Sequence, residues 1–251
     1  MDLKIESVIQ NMHYMCWMHD MAIVVGPGIE IGPGILITSA DAYVTSGLIT
    51  YLDAGDNASY PGTGTTWTDL SPAANNFTLT ANPPWTSAGP TSYFTMSSGF
   101  AVSTAILPAA AYTKIAVFYV TGNFLNIISG GVTSTDHAFW GNNSQFLQAG
   151  HNSAWSTVAS PVTTPLNQWV YAAVSFNTST GWRLYLNQNT PVTSSDTATF
   201  TPTPAVCQVG AYQSGNFLGG RAAVAMIYNR VLSDSEITQN YNYFKTRFSI
   251  A

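Results

Sequence analysis

The sequence predicts an all-β sandwich with a short C-terminal helix, and three observations lead to this class. Short runs rich in Thr, Val, Tyr, Phe and Trp recur between Gly, Pro, Asn and Ser, which is typical of strands separated by turns. The length of 251 residues suits one large sandwich domain. Near the C-terminus, Ser233 with Glu236 three residues later forms a capping sequence that predicts the start of a helix.

The predicted strands follow one another between residues 47 and 228. They cover residues 47–52, 77–79, 93–96, 116–120, 124–128, 137–140, 145–149, 169–176, 182–186, 205–209 and 222–228, with one more strand beginning at Trp67. The helix is expected to end at about Phe244. Its apolar side chains Ile237, Tyr241 and Phe244 recur at helical spacing, so one face is expected to pack on the sandwich.

Composition divides the chain into three zones: residues 1–20, 21–40 and 41–251. The first zone is rich in Met and His and can be drawn as a short helix. We interpret it as an upstream extension with little role in the fold, because Met21 begins a sequence that looks like a natural protein start. The alternative is a helix that docks on a partner.

The second zone contains a short repeat with a period of six, G-P-G-I-E-I followed by G-P-G-I-L-I. Isoleucines at alternate positions share one face of a strand, and proline places the G-P-G units at corners. Two repeats are too few to bury a core alone. We therefore predict a small β attachment segment that docks on a partner or braids with other copies as a trimer; the alternative is a pair of strands that packs on its own domain. The attachment residues are Gly26, Pro27, Ile29, Ile31, Gly32, Pro33, Ile35 and Ile37.

Three strings in the third zone match one known family. The first, from Tyr51 to Ser71, reads Y-L-D-A-G and then Y-P-G-T-G-T-T-W-T-D-L-S. The second joins Q-W-V-Y-A-A-V-S-F to W-R-L-Y-L-N through a turn at Asn177, and the third runs from G-G-R-A-A-V-A-M to I-Y-N-R-V-L-S-D-S-E-I. Together they resemble the opening strand, central hairpin and closing strand of concanavalin A-like, laminin-G-like jelly-roll domains. Gln188 stands where that family usually has glycine.

The resemblance implies a concanavalin A-like (laminin-G-like) β-sandwich jelly roll over roughly residues 47–244. Its first string looks most like the copies found in bacteriophage virion proteins. The resemblance therefore implies a location on the phage particle surface and, as partners, other virion proteins contacted through the N-terminal segment.

Charge argues against several classes of partner. The net charge is −5, and the seven Lys and Arg residues form no basic stripe, so a nucleic-acid partner is not expected. No apolar run reaches the roughly 18 residues of a membrane span, and the N-terminus lacks the basic and apolar regions of a signal peptide. This absence favours release by lysis. Only 8% of residues are charged, which fits either a chain packed in a particle or a neutral extracellular domain.

Catalytic motifs are missing from the third zone. Glycoside hydrolysis needs two suitably placed carboxyl groups, yet Glu236 is the one glutamate after Glu30, and the capping sequence already explains it. A serine hydrolase would need His137 or His151 as base, but there is no G-x-S-x-G elbow and both histidines are expected in loops or at strand ends. The two cysteines, Cys16 and Cys207, are expected to be unpaired thiols.

Calcium is the one cofactor that the sequence leaves open. Asp53, Asp56 and Asp69 lie near one another in the chain, and carboxylates are preferred calcium ligands. Related laminin-G folds often bind calcium, although Pro72-Ala73-Ala74 replaces a glycine-containing loop of the family. The alternative is that these aspartates stabilise turns and caps.

Carbohydrate binding is the role that the family implies for surface aromatic residues. The turns at residues 141–144 and 150–153 flank one predicted hairpin and would present tryptophans beside polar side chains. The candidate sugar-binding residues are Trp140, Asn142, His151, Asn152 and Trp155. Trp85 and Trp182 are further candidates, whereas Trp67 and Trp169 sit inside strand patterns and are expected in the core.

Three functional hypotheses follow. The first is a non-enzymatic virion structural protein, such as a capsid decoration, head fibre or tail component. The second is a carbohydrate-binding module that adheres to glycans on the host surface. The third, a glycosidase or lyase, is disfavoured by the scarcity of glutamate.

Overall fold

The computed structural model describes residues 42–122, 126–131, 135–201 and 205–251. The predicted zones 1–20 and 21–40 lie outside the described residues, and with them the G-P-G-I-x-I repeat and its attachment residues from Gly26 to Ile37. Residues 124 and 125 of one predicted strand and Cys16 also lie outside them.

The described part is a β-sandwich with one helix at its C-terminal end. The elements are β1 (Leu48–Asp53), β2 (Thr66–Trp67), β3 (Phe77–Thr80), β4 (Trp85–Thr86), β5 (Tyr93–Thr95), β6 (Phe100–Leu107), β7 (Ala111–Val120), β8 (Ile128–Ser129), β9 (His137–Gly141), β10 (Phe146–His151), β11 (Ala154–Thr163), β12 (Trp169–Asn177), β13 (Gly181–Leu186), β14 (Val192–Ser194), β15 (Ala205–Val209), β16 (Gly220–Tyr228) and α1 (Asp234–Phe248).

One layer is an eight-stranded antiparallel sheet. Its order is β14-β13-β12-β7-β16-β5-β4, and β1 also pairs with β16. The central strands β7, β12 and β16 are buried along nearly their whole length. Because strand side chains alternate between faces, such burial requires cover on both faces, and these strands are accordingly apolar almost throughout.

The second layer is built from a five-stranded sheet, β2-β3-β6-β15-β8, and a three-stranded sheet, β9-β10-β11. Hydrogen bonds join the two sheets at the segment around β8. The Ile127 amide donates to the Phe139 carbonyl at 2.9 Å, and the Gly130 amide donates to the His137 carbonyl at 2.8 Å. Strand β9 therefore continues this layer, and its inner face meets the interior of the sandwich.

Two hydrophobic cores hold the two layers and the helix together. The larger combines side chains from both layers and includes Trp67, Phe94 and Phe118. The smaller joins one face of the eight-stranded sheet to α1 and includes Val117 and Phe244. Trp67 is fully buried, which confirms its predicted place in the core.

The helix begins as the sequence predicts. The Ser233 side chain accepts a hydrogen bond from the Glu236 amide, and the Glu236 carboxylate accepts one from the Ser233 amide, so both bonds of a capping box are present. Arg230 lies beside Glu236 at 2.6 Å, and this ion pair together with the capping bonds lowers the pKa of Glu236 to about 2. No helix of the described chain has the length and apolar character of a membrane span.

Two sequence expectations about the elements were wrong. The helix ends at Phe248 rather than near Phe244, because Phe248 is itself buried and extends the apolar face by one turn. Strands β4, β6, β11 and β14 were not predicted. Strand β11 is Ser- and Thr-rich, carries Pro161 and lies at a sheet edge, where one side needs no partner and proline is tolerated. Its sequence therefore lacks the apolar alternation of a half-buried strand.

Candidate functional site

Strand β9 carries the first part of the site. His137 and Phe139 point into the core, so by strand alternation Ala138 and Trp140 share the opposite face. Trp140 pairs with Gln148 of β10 and also forms a bridge with Asn126 on the other side. Its backbone is therefore held from both neighbouring segments.

Two contacts fix the tryptophan pair. The Trp140 indole Nε1–H donates a hydrogen bond to the Trp155 carbonyl oxygen at 2.7 Å. The Trp155 ring then meets the Tyr212 ring edge to face, with 5.4 Å between the centroids. Such an arrangement is favourable for aromatic rings, and it places three partly exposed aromatic side chains side by side.

Tyr212 is presented by a tight turn. Its amide donates to the Gly215 carbonyl at 2.9 Å, and the Gly215 amide donates back to the Tyr212 carbonyl at 3.0 Å. The intervening Gln213 and Ser214 have φ of 50° and 57°, the left-handed pair of a type I′ turn. The Gln208 side chain accepts from the Ser214 amide at 3.0 Å and anchors the turn to β15.

Two asparagines complete the site. The Asn126 side-chain amide donates to the Asn216 carbonyl at 3.0 Å, and the Asn126 side-chain oxygen accepts from the Ser129 hydroxyl at 2.9 Å. Asn126 is buried, and its side-chain amide donates one hydrogen bond within the described residues although it carries two protons. The Asn216 side chain is exposed and makes no hydrogen bond with another residue of the described ranges.

These side chains line one cavity of about 200 Å³. Its lining residues are Asn126, Ala138, Trp140, Trp155, Tyr212 and Asn216. The walls combine flat aromatic rings with amide donors and acceptors, and the described lining carries no charged side chain. This chemistry suits a neutral ligand that has an apolar face and a rim of hydroxyl groups.

The structure brings together two of the five predicted sugar-binding residues, Trp140 and Trp155. Asn142 instead closes the β9–β10 turn, where its side-chain oxygen accepts from the Ser144 and Phe146 amides, both at 3.0 Å. Asn152 forms the β10–β11 turn, with φ of 52°, and donates to the Thr199 carbonyl. Both asparagines shape the hairpins rather than line the cavity.

His151 lies at a strand end, one of the two positions expected for it, but it does not line the cavity as a sugar-binding residue. It is the last residue of β10, on the face that points into the core, and 3% of it is exposed. Its Nδ1–H donates to the Ala198 carbonyl at 2.9 Å, which leaves Nε2 to accept from the Tyr112 hydroxyl at 2.8 Å. Burial lowers the pKa of His151 to about 3, so the ring is neutral.

The other tryptophans lie elsewhere. Trp182 was a further candidate, but it is buried in the core beside Phe176. Trp85 is half-buried at a distant edge, where its indole donates to the Ala54 carbonyl at 3.1 Å. Trp169, which was expected in the core, is half-buried and packs against Phe248.

A second polar cluster lies on the inner side of β9. His137 is fully buried, as are Lys114 of β7 and Cys207 of β15. The Lys114 Nζ donates to His137 Nδ1 at 2.5 Å and to the Ile128 carbonyl at 3.1 Å, while His137 Nε2–H donates to the Val206 carbonyl at 3.1 Å. His137 is thus neutral, with its proton on Nε2.

Burial shifts the ionisation of this inner cluster. It lowers the pKa of Lys114 to about 7 and raises the pKa of the Cys207 thiol to about 12. Burial, followed by the neighbouring Lys114, lowers the pKa of His137 well below its usual value. These are reactive residue types, but their side chains are sealed from solvent, so the cluster has no surface at which a ligand can bind.

The aspartates considered for calcium have protein partners. Asp53 is paired with Arg247 through two bonds of 2.5 Å. Asp69 accepts from the Tyr51, Ser71 and Asn75 amides, and Asp56 accepts from the Ala58 amide at the surface. Across the described ranges, no group of three His, Cys, Asp or Glu side chains is placed to hold a metal ion.

Sequence reasoning missed four residues of the cavity: Asn126, Ala138, Tyr212 and Asn216. Ala138 follows directly from the alternation of β9, since it is two residues before Trp140. The other three come from distant segments that meet only through β8 and the turn after β15. One signal was present in the Gln213-Ser214-Gly215-Asn216 string, which is typical of a turn next to an aromatic residue.

Comparison of the fold with solved structures finds similar β-sandwiches in carbohydrate-active proteins. Trypanosoma rangeli sialidase in complex with sialic acid matches with a TM-score of 0.58 and 16% identity over 80% of this chain, which spans 33% of the sialidase. Domain 4 of AbnA, a GH43 extracellular arabinanase from Geobacillus stearothermophilus solved with arabinotriose, matches with a TM-score of 0.60 and 15% identity, covering 77% of this chain and 98% of that domain. At such low identity these matches show a shared fold.

The sequence comparisons differ in what they find. A comparison with curated protein sequences gives no match. The family model of the concanavalin A-like lectin/glucanases superfamily, Laminin_G_3, matches residues 73–238, which is more than half of the chain. This range runs from the loop before β3 into α1 and contains the whole aromatic cavity. The protein therefore belongs to the concanavalin A-like lectin/glucanases superfamily and has its jelly-roll fold.

Proposed function

We propose that this domain binds carbohydrate, without catalysis, in the cavity between Trp140, Trp155 and Tyr212. The observation that carries the proposal is the convergence of three partly exposed aromatic rings with the amides of Asn126 and Asn216 in about 200 Å³. Sugar rings present C–H faces that pack on aromatic rings, and their hydroxyl groups hydrogen-bond to amides. The arabinotriose complex of the structurally similar AbnA domain agrees with this role.

Absence of catalysis is part of the proposal. The described lining of the cavity has no carboxyl group, whereas glycoside hydrolysis generally requires a pair of them. The histidines that a hydrolase would need, His137 and His151, are buried and neutral on the inner side of the layer. We expect no release of reducing sugar from any glycan that the domain binds.

A glycan array followed by titration calorimetry of the full chain tests this function. Trp155→Ala should abolish binding, because it removes a ring that lines the cavity and contacts Tyr212. Trp85→Ala is the matched control, since it removes a half-buried tryptophan from a distant edge. Equal affinity of the wild-type and Trp155→Ala proteins for the same glycan would rule out this cavity as the binding site.

The setting that we propose for this domain is the surface of a phage particle. The support is the Tyr51–Ser71 string, which resembles copies in virion proteins, and the G-P-G-I-x-I repeat, which suits attachment to other virion proteins or assembly into a trimer. Cryo-electron microscopy of the native particle tests this setting. Density for this domain on the capsid or tail would support it, and particles that lack the chain would argue against it.

We propose that the fold needs no calcium, because Asp53 and Asp69 are already satisfied by Arg247 and by backbone amides. Thermal unfolding in about 10 mM calcium, which exceeds the roughly 0.1–1 mM dissociation constants of extracellular calcium sites, and in an excess of chelator should give the same midpoint. A rise in the midpoint with calcium, lost in an Asp56→Asn variant, would contradict this.

A further inference from the structure

The tryptophan pair lines two cavities, not one. The first is the cavity of about 200 Å³ described above. The second is shallower, about 460 Å³, and is lined by Ser153, Ala154, Ser156 and Thr157 together with Trp140 and Trp155. Because both tryptophans belong to both linings, the two cavities adjoin at this pair. We call them the amide cavity and the hydroxyl cavity.

The hydroxyl cavity is built from the first residues of β11. The Ser156 hydroxyl donates to the Gln148 side chain at 2.9 Å, and the Thr157 hydroxyl donates to the Ala154 carbonyl at 2.7 Å. A hydroxyl that donates one hydrogen bond can still accept others. These oxygens are therefore held in place and remain able to accept bonds from a ligand.

The two cavities are alike in charge. Every residue in the two described linings is uncharged. A ligand carboxylate would face no cationic side chain of these linings, and any loss of its water on binding would be unfavourable. Acidic sugars are therefore poor ligands for this surface, and neutral sugars are suited to it.

We propose that the amide and hydroxyl cavities form one extended site for a neutral oligosaccharide of at least two sugar rings. One ring lies in the amide cavity against Trp155 and Tyr212, and the next ring lies in the hydroxyl cavity beside Ser156 and Thr157. Trp140 and Trp155 separate the two positions and contact both. This proposal rests on the proposed carbohydrate-binding function and adds ligand length and charge to it.

Titration calorimetry on the full chain tests ligand length. The probes are the arabino-, malto- and cello-oligosaccharides of one, two and three rings, with a galacturonic acid trimer as the acidic probe. In the series that binds, affinity should rise at least about tenfold from one ring to two, equivalent to about 1.4 kcal/mol. The acidic trimer should bind at least about tenfold more weakly than the neutral trimer, because its carboxylates are not paired.

Variants in the hydroxyl cavity test the second position. Ser156→Ala combined with Thr157→Val should weaken two-ring binding by about three- to tenfold, the range expected for lost hydrogen bonds, and leave one-ring binding unchanged. Ser144→Ala is the matched control, because it removes an exposed hydroxyl on the β9–β10 turn that belongs to neither lining.

The outcomes separate this inference from the proposed function. Equal affinity for one and two rings, or no effect of the double variant, would overturn the extended site. The proposed carbohydrate-binding function would still stand in that case if binding depended on Trp155. Binding of the acidic trimer as tightly as the neutral one would overturn the preference for neutral ligands. If none of the probes bound the wild-type chain, the inference would be overturned, and the proposed function would be overturned as well if the glycan array also gave no Trp155-dependent binding.

Discussion

On the inner face of β9, His137 and Phe139 are fully buried, and on its outer face Ala138 and Trp140 line a cavity. Both faces carry aromatic and polar neighbours, and both draw residues from distant strands. The inner face is covered by the eight-stranded sheet, so its polar groups bond to one another. The outer face is covered by short turns, which leave space between the rings.

This difference shows that residue type alone does not make a site. Lys114, His137, His151 and Cys207 are the residues with the most perturbed ionisation near β9, and such shifts often mark functional sites. Here burial is the largest cause of each shift, and no cavity described above is lined by these side chains. The cavity with ordinary, neutral residues is the better candidate because solvent can reach it.

Substitutions on the two faces of β9 should separate stability from binding. Phe139→Ala should lower the free energy of unfolding by about 3–5 kcal/mol, because it empties space in the core. Trp140→Ala should lower it by about 1–2 kcal/mol, since the ring is already partly in water, but should abolish glycan binding. Urea unfolding and calorimetry measure the two effects, and a larger loss of stability in Trp140→Ala would contradict the assignment of faces.

Acid should lower the stability of the folded protein through the histidines on the inner faces of β9 and β10. The pKa values of His137 and His151 are lower in the folded chain than in the unfolded chain. Below pH 6.5 the unfolded chain therefore binds protons at these histidines while the folded chain does not. Stability is full above pH 6.5 and falls as the pH drops, by up to about 1.4 kcal/mol per pH unit for each histidine. Urea midpoints between pH 7 and pH 5 should show this slope, and His151→Gln should reduce it by about half. An unchanged slope in that variant would mean that His151 is not buried as a neutral ring.

Mild alkali should have the opposite effect through Lys114. Its pKa is about 7 in the folded chain, below the ordinary 10.5, so the unfolded chain holds an extra proton between these values and stability rises with pH. The rise should be at most about 1.4 kcal/mol per pH unit. Above pH 9 the Cys207 thiol lowers stability as the pH rises, because its pKa is raised to about 12 in the folded chain and the unfolded thiol loses its proton first. The window is therefore pH 7 to 9, and Lys114→Met should flatten the rise in urea midpoint there; a slope that persists would assign it to another group.

Substitutions of Asn152, in the β10–β11 turn, should have the smallest effect on stability. Asn152 and Ser153 both have positive φ, as in a type I′ turn. Asn152→Gly should change stability by less than about 1 kcal/mol, whereas Asn152→Ala should cost about 1–2 kcal/mol because alanine is disfavoured in this conformation. Neither variant should alter glycan affinity. A selective loss of affinity in Asn152→Gly would return this residue to the binding site.

Most elements were predictable from local pattern. Strands such as β12, β13 and β15 have apolar runs bounded by turn residues, and the Ser233–Glu236 pair marks the helix start unambiguously. The Trp140 and Trp155 part of the cavity was predictable because two adjacent turns in one hairpin bring them together. Asn126, Tyr212 and Asn216 were not, since their approach depends on pairing between β8, β9 and β15 that no local pattern encodes.

His151 shows most clearly what local sequence cannot predict. In the sequence it sits between Gly150 and Asn152, a turn-like setting that made it a candidate sugar-binding residue. In the structure it pairs directly with His137 across the β9–β10 ladder and faces the core. A shift of one residue in where a strand ends moves a side chain to the other face, so its exposure depends on the register of the sheet.

The sequence by itself determined the class of this protein: an all-β jelly roll with a capped C-terminal helix and few charged residues. These properties follow from composition, alternation and short motifs, which act within a few residues along the chain. The tertiary structure alone decided which polar residues are sealed inside and which aromatic residues stay open. Burial depends on what packs against each face, and that cover comes from strands and turns far away in the sequence.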